Sequence, residues 1–234
     1  MTKFLNTTFI LLIILFSSCE KRVTELDFEK KVMTEIFSNL IDSTCIDKRL
    51  MLNFPPIYGK SIYDKGGQYI GVDSTKATKE EKLKLLEWKQ NELKIKNDTS
   101  KIILAFDSKI KPSTENNLKE DFEKHFVGSK LIELNKEKNI DYILDYNKIE
   151  LNNKFKLKDI SEFPKSFKIW ETKYNFIFSG VVYFSKILFD KDKKYGILDG
   201  GFVCGGLCGK GYRIYIKKVN GKWTIDKVDM TWIS

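Results

Sequence analysis

The C-terminal stretch YRIYIKKVNGKWTIDKVDMTWIS, Tyr212–Ser234, decides the fold. Tyr212–Val219 reads as a strand, with RIYIKKV in its body. Asn220-Gly221 follows, the dipeptide that best tolerates positive φ at both central positions of a two-residue hairpin turn. Lys222–Ile233 returns as the partner strand. Trp223 and Ile225 share one face, whereas Val228, Met230 and Trp232 have the opposite parity. A bulge near Asp226-Lys227 is expected, because one extra residue would restore a continuous inner face.

Upstream, Gly180–Phe189 is β-rich, Asp190–Lys194 is a polar turn, and Tyr195–Val203 runs back. Four strands joined by short turns make an antiparallel meander. In front of it lie helical patterns. Phe28, Val32, Met33, Ile36, Phe37, Leu40 and Ile41 repeat at three and four, an amphipathic stripe over 24–41. Thr78 with Glu81 is a capping box opening a second helix that fades near Asn97, its apolar side expected from Leu83, Leu86 and Trp88. Ile102–Phe106 reads as a buried strand. Ser113 is expected to cap a third helix bearing Leu118, Phe122 and Phe126, with Gly128 as its stop. Residues 53–77 carry Pro55-Pro56 and four glycines and read as a loop packed over the core, with a lid over a pocket, formed by Tyr58, Tyr63 and Tyr69, as the alternative. Residues 129–176 show no clear period. The expected fold is α+β: N-terminal amphipathic helices packed on a C-terminal antiparallel β-meander of four or more strands.

The chain opens MTKFLNTTFILLIILFSSCEKR. Phe9–Phe16 is an apolar run of eight, far short of the ~20 residues of a transmembrane helix, so it reads as the core of a secretory signal. Leu15-Phe16-Ser17-Ser18-Cys19 resembles the lipobox of bacterial lipoproteins. The resemblance implies cleavage before Cys19 and acylation of that residue. Residues 1–18 are then a signal peptide, 19–26 a lipidated cysteine with its tether, and 27–234 a single α+β ectodomain. Extended, the tether keeps that body within roughly 25 Å of the bilayer. The run from YFSKILFDKD to the C-terminus is similar to that of uncharacterised lipoproteins of Gram-negative bacteria, a likeness that assigns no activity.

The formal charge is +9, from 41 basic and 32 acidic residues. Only Arg22, Arg49 and Arg213 are arginine. The planar, bidentate readout of nucleic acids favours arginine, and the lysines are interleaved with acids, so no nucleic-acid partner is expected. With 42% hydrophobic residues the chain is globular rather than disordered.

FVCGGLCGKGY, Phe202–Tyr212, holds two cysteines and four glycines. As a P-loop it fails twice: Cys204 stands where the first glycine belongs, and Gly211 replaces the magnesium-binding hydroxyl. Three residues separate the cysteines where a thioredoxin-like pair has two. A metal site would need Cys45 and His125 to converge on it from afar. A disulfide between Cys204 and Cys208, stapling a glycine-rich connection that visits positive φ, is the expected reading in an exported chain. Pairing of Cys45 with either is the runner-up; otherwise Cys45 is buried and free.

His125, the one histidine, is assigned a structural role. No catalytic residue, metal site or cofactor is expected. The functional expectation is a membrane-anchored lipoprotein, held through lipid on Cys19 at the outer membrane or cell surface in preference to the inner membrane. Its ectodomain, in the periplasm or outside the cell, would bind an envelope protein or a small ligand without catalysis. The alternatives are an envelope hydrolase and a structural envelope component.

Overall fold

A computed structural model describes residues 24–115, 117–132, 140–151 and 154–234. Cys19 and the signal segment lie outside them. Thr24 caps helix α1 (Glu25–Thr44) by accepting from the Asp27 amide at 3.0 Å. Six residues of its stripe, Val32 to Ile41, are essentially inaccessible to solvent. The one-turn helix α2 (Lys48–Met51) follows. Then come strands β1 (Lys60–Tyr63) and β2 (Tyr69–Asp73), which pair antiparallel, and helix α3 (Lys79–Asn97). The segment read as a loop is thus a hairpin, its two ends joined by backbone pairing that Gly66-Gly67 permits at the turn.

Thr78 and Glu81 form the expected capping box at the start of α3. Its apolar phase differs from the expected one. Leu83 and Leu86 are more than half exposed, whereas Leu85, Trp88 and Ile95 are half-buried. The Trp88 indole N–H donates to the Asn53 carbonyl at 2.7 Å. Rotating Trp88 to that partner carries Leu83 and Leu86 outward, since positions two and five residues apart on a helix do not share a face.

Strands β3 (Ile102–Phe106) and β4 (Lys109–Ile110) precede helix α4 (Leu118–His125). Strand β5 (Tyr142–Ile143), strand β6 (Phe155–Asp159) and the one-turn helix α5 (Lys168–Glu171) fill the region without clear period. Strands β7 (Ile177–Phe184), β8 (Leu188–Phe189), β9 (Tyr195–Gly205), β10 (Cys208–Val219) and β11 (Lys222–Ile233) complete the chain. Among the described residues the main sheet runs β11-β10-β9-β7-β3-β6, with β8 also on β9. The meander β7 to β11 is antiparallel, and β3 lies parallel to both β6 and β7. The fold is α+β, helices with a C-terminal meander, extended at one edge by parallel pairing.

The sheet has two packed faces. On the front, α1 lies against Leu104, Val182, Leu198, Phe202, Ile214 and Ile216. At this scale each fully buried aliphatic side chain stabilises by about 1.5–3 kcal/mol. On the back, Phe122 and Phe126 of the α4 region pack on Ile197 and Tyr215 at one end. Phe163 and Ile169 cover Ile103 and Ala105 at the other. Ser113 does not cap α4. Asn117 occupies that position without a side-chain cap, and Ser113 points elsewhere.

The turn Asn220-Gly221 has φ of +50° and +84°, as the primed hairpin turn requires. The bulge expected near Asp226-Lys227 is present: Ile216 faces Ile225 and Tyr215 faces Lys227, leaving Asp226 unpaired. Trp223, Ile225 and Val228 consequently pack on the front core. A second bulge was not foreseen. Tyr212 faces Met230 and Gly211 faces Trp232, so Thr231 is extra and Trp232 turns to the back face.

Candidate functional site

Four neighbouring strands build the middle of the back face, between the two packed ends. Across one row lie Tyr183 on β7, Gly201 on β9, Gly211 on β10 and Trp232 on β11, each paired with the next. The two glycines form the floor and the two rings bend inward over it. A Cβ built on Gly201 would stand 2.4 Å from the Tyr183 ring carbon Cζ. One on Gly211 would stand 1.9 Å from the Trp232 Nε1, and one on Gly209 would stand 2.9 Å from Cζ3 at the other end of the same indole. The indole therefore lies flat along β10. Tyr183 and Trp232 are each 37% exposed.

This floor corrects the reading of the glycine cluster. Gly205, Gly206, Gly209 and Gly211 do not have positive φ. Gly209 and Gly211 sit inside a strand, where a missing side chain permits close approach of a ring. The cysteines do pair: Cys204 and Cys208 form a disulfide with Cα atoms 5.1 Å apart, beside the Gly206-Leu207 tip. Cys204 is itself the extra residue of a bulge, since Cys208 faces Gly205 and Gly209 faces Val203. The staple packs on the front core, behind the groove floor. Cys45 is buried and free, and burial pushes its thiol pKa up to about 12.

Tyr183 lines two depressions. One is an apolar cleft of about 560 Å³ whose walls include Phe163, Ile169, Trp170, Val181 and Val203. The other is a polar notch of about 210 Å³ bounded by Trp232, Asp199, Ser113, Glu115 and Lys111. They share Tyr183 as a lining residue, and we read the pair as one candidate groove with an apolar and a polar end.

The notch rests on a buried ionic network. Arg213, with 4% of its side chain exposed, donates to Asp199 at 2.8 Å and to Asp121 of α4. Burial opposes the Arg213 charge, but hydrogen bonds and charge from Asp199 and Asp121 outweigh it and hold its pKa above the usual value. The Ser113 hydroxyl donates to the other Asp199 oxygen. The amide of Asp199 donates to the Ser185 hydroxyl at 2.9 Å. These hydrogen bonds join Asp121, Arg213, Asp199, Ser113 and Ser185 in one network, which fixes the wall of the notch. Tyr183 has a raised pKa, from burial first and then the charges of Glu115 and Asp199, so its hydroxyl keeps its proton at neutral pH.

His125 lies elsewhere, 2.7 Å from Asp226 and with its ring centroid 4.1 Å from that of Tyr215, tilted by 34°. It lines neither depression. Asp226, the bulge residue, is held below the usual carboxylate range by Lys217, with burial opposing and His125 assisting. Residues 53–77 line neither depression, so the hairpin there does not lid this groove. No group of three or more His, Cys, Asp or Glu with the geometry of a metal site occurs among the described residues. No helix among them is long and apolar enough to cross a membrane.

Tyr183, Asp199, Arg213 and Trp232 are the site residues that sequence reasoning missed. Their signal was present as Gly200-Gly201, Gly209 and Gly211 inside β-rich runs. The chain matches no known family model, no curated protein and no solved structure.

Proposed function

We propose that the protein is a membrane-anchored envelope lipoprotein whose ectodomain binds a small ligand in the back-face groove. The observation that carries the binding reading is the two-ended groove itself, a concave apolar cleft joined through Tyr183 to a small set of fixed polar groups. That combination is the usual make-up of a ligand site. The lipobox-like Leu15–Cys19 supplies the anchoring half of the reading. A catalytic function is the weaker reading: the pair His125 and Asp226 sits outside the groove, and Cys204 and Cys208 are tied in a disulfide.

The test uses the full chain in phosphatidylcholine nanodiscs, titrated with the neutral fluorophore 1-aminoanthracene against empty discs. A saturable fluorescence gain is expected, and Val203→Trp, which fills the cleft, should abolish it while leaving the thermal midpoint within a few degrees. Absence of any saturable signal above the empty discs would contradict the reading.

A further inference from the structure

The polar end of the groove has a feature that a merely apolar pocket does not need. Trp232 reaches the back face only because Thr231 is extruded as a bulge. Bulges beside sites commonly re-aim one side chain. Here the indole is laid flat on Gly209 and Gly211, which leaves its outer ring face open above the notch. Tyr183 is bedded the same way over Gly201, the direct neighbour of Gly211. Gly201 and Gly211 are partners on neighbouring strands, so the two rings are bedded on adjacent positions of the floor.

Around these rings stand both acceptors and donors, with the acids in slight excess. Asp107, Glu115 and Asp199 line the notch together with Lys109 and Lys111, and Ser113, Thr114 and Thr231 add hydroxyls. Lys109 is paired with Asp141 at 2.9 Å, and Lys111 with Asp107 at 3.6 Å. Asp199 shares Arg213 with Asp121. An anionic ligand would call for an excess of cations, and the stacked bases of a nucleic acid would call for uncompensated cations near their phosphates. A pyranose ring calls for neither. It has an apolar C–H face that rests on an aromatic ring and a rim of hydroxyls that both donate and accept.

We propose that the notch is a subsite for a neutral carbohydrate, one pyranose stacked on the outer face of Trp232, with Tyr183 flanking it and Ser113, Glu115 and Lys111 meeting its hydroxyls. The proposal rests on the groove being a binding site and names the class of ligand at its polar end. Trp232 sets the stacking contact, and the extruded Thr231 sets Trp232.

The experiment titrates the full chain in nanodiscs with three neutral hexasaccharides: α-1,4-linked glucose, β-1,4-linked glucose and β-1,4-linked N-acetylglucosamine. Calorimetry gives affinity, and the Trp232 indole N–H resonance, assigned with Trp232→Phe, reports the site without relying on a variant's stability. Saturable binding of at least one sugar is expected, with a shift of the Trp232 resonance. Trp232→Ala should weaken it by about tenfold or more, and Trp232→Phe should retain an intermediate affinity. No binding of any of the three at about 10 mM, or binding that leaves the Trp232 resonance unmoved, overturns the proposal. Retained 1-aminoanthracene binding in that case leaves the groove reading standing; loss of both overturns both.

Discussion

A single methyl group separates Gly201 from alanine, and the Tyr183 ring occupies the place where it would go, 2.4 Å away. Gly201→Ala must lift that ring off the floor, and overpacking of this kind costs about 1–3 kcal/mol. Gly205, four residues on in the same strand, has only the Cys208 Cβ at 3.5 Å, an ordinary contact. Gly205→Ala should therefore be neutral or stabilise by about 0.5 kcal/mol, through the reduced entropy of the unfolded chain. Urea unfolding of the two variants beside the parent measures the difference. At the same scale, Cys204→Ala with Cys208→Ala opens a five-residue loop and should lower stability by about 2 kcal/mol. The pairing of Cys204 with Cys208 was legible from their spacing and the expectation of export. The reason for Gly201, Gly209 and Gly211 was not, because the ring each accommodates is carried by another strand of the sheet.

Helix α1 is fastened to the sheet by more than its apolar stripe. Glu29 and Lys186, each almost fully buried, pair at 3.4 Å, and Glu29 also accepts from the Ile187 amide at 3.0 Å. The Ser185–Ile187 link that carries them is where the run read as one strand, Gly180–Phe189, breaks into β7 and β8. Lys186→Met alone strands a buried carboxylate and should cost about 3–5 kcal/mol, whereas Glu29→Leu with Lys186→Met should cost much less. A double-mutant cycle by denaturant unfolding gives the coupling. The stripe of α1 and the β10–β11 hairpin were readable because period and turn chemistry are local properties. The phase of α3, the true cap of α4 and the parallel pairing of β3 with β6 were not. Each depends on a partner far along the chain: Asn53 for Trp88, Asp199 for Ser113, and Lys154 for the amide of Ile102.

Over the whole molecule, acid should destabilise the fold by an identifiable route. Asp47 is held below its usual pKa: burial opposes this, but hydrogen bonds from Arg49 and Lys154 prevail. Asp226 is lowered likewise, chiefly by Lys217. A carboxylate whose pKa is lower folded than unfolded stabilises above its unfolded pKa, and that stability is lost as pH falls through the folded value. Glu29 has a raised pKa, from burial first, and acts in the opposite sense: its contribution is greatest below its unfolded value and declines as pH rises through the folded one. Unfolding midpoints should therefore drop below about pH 4, and Asp47→Asn should flatten that limb. Beyond stability, a groove facing solvent on a short tether would sample ligands close to a membrane. That location depends on Cys19, and metabolic labelling of the producing cells with palmitate, followed by membrane fractionation, tests it most directly. The full chain should take up label and sediment with membranes, and Cys19→Ala should do neither. An unlabelled parent, or a Cys19→Ala chain that sediments as fully as the parent, would contradict the account.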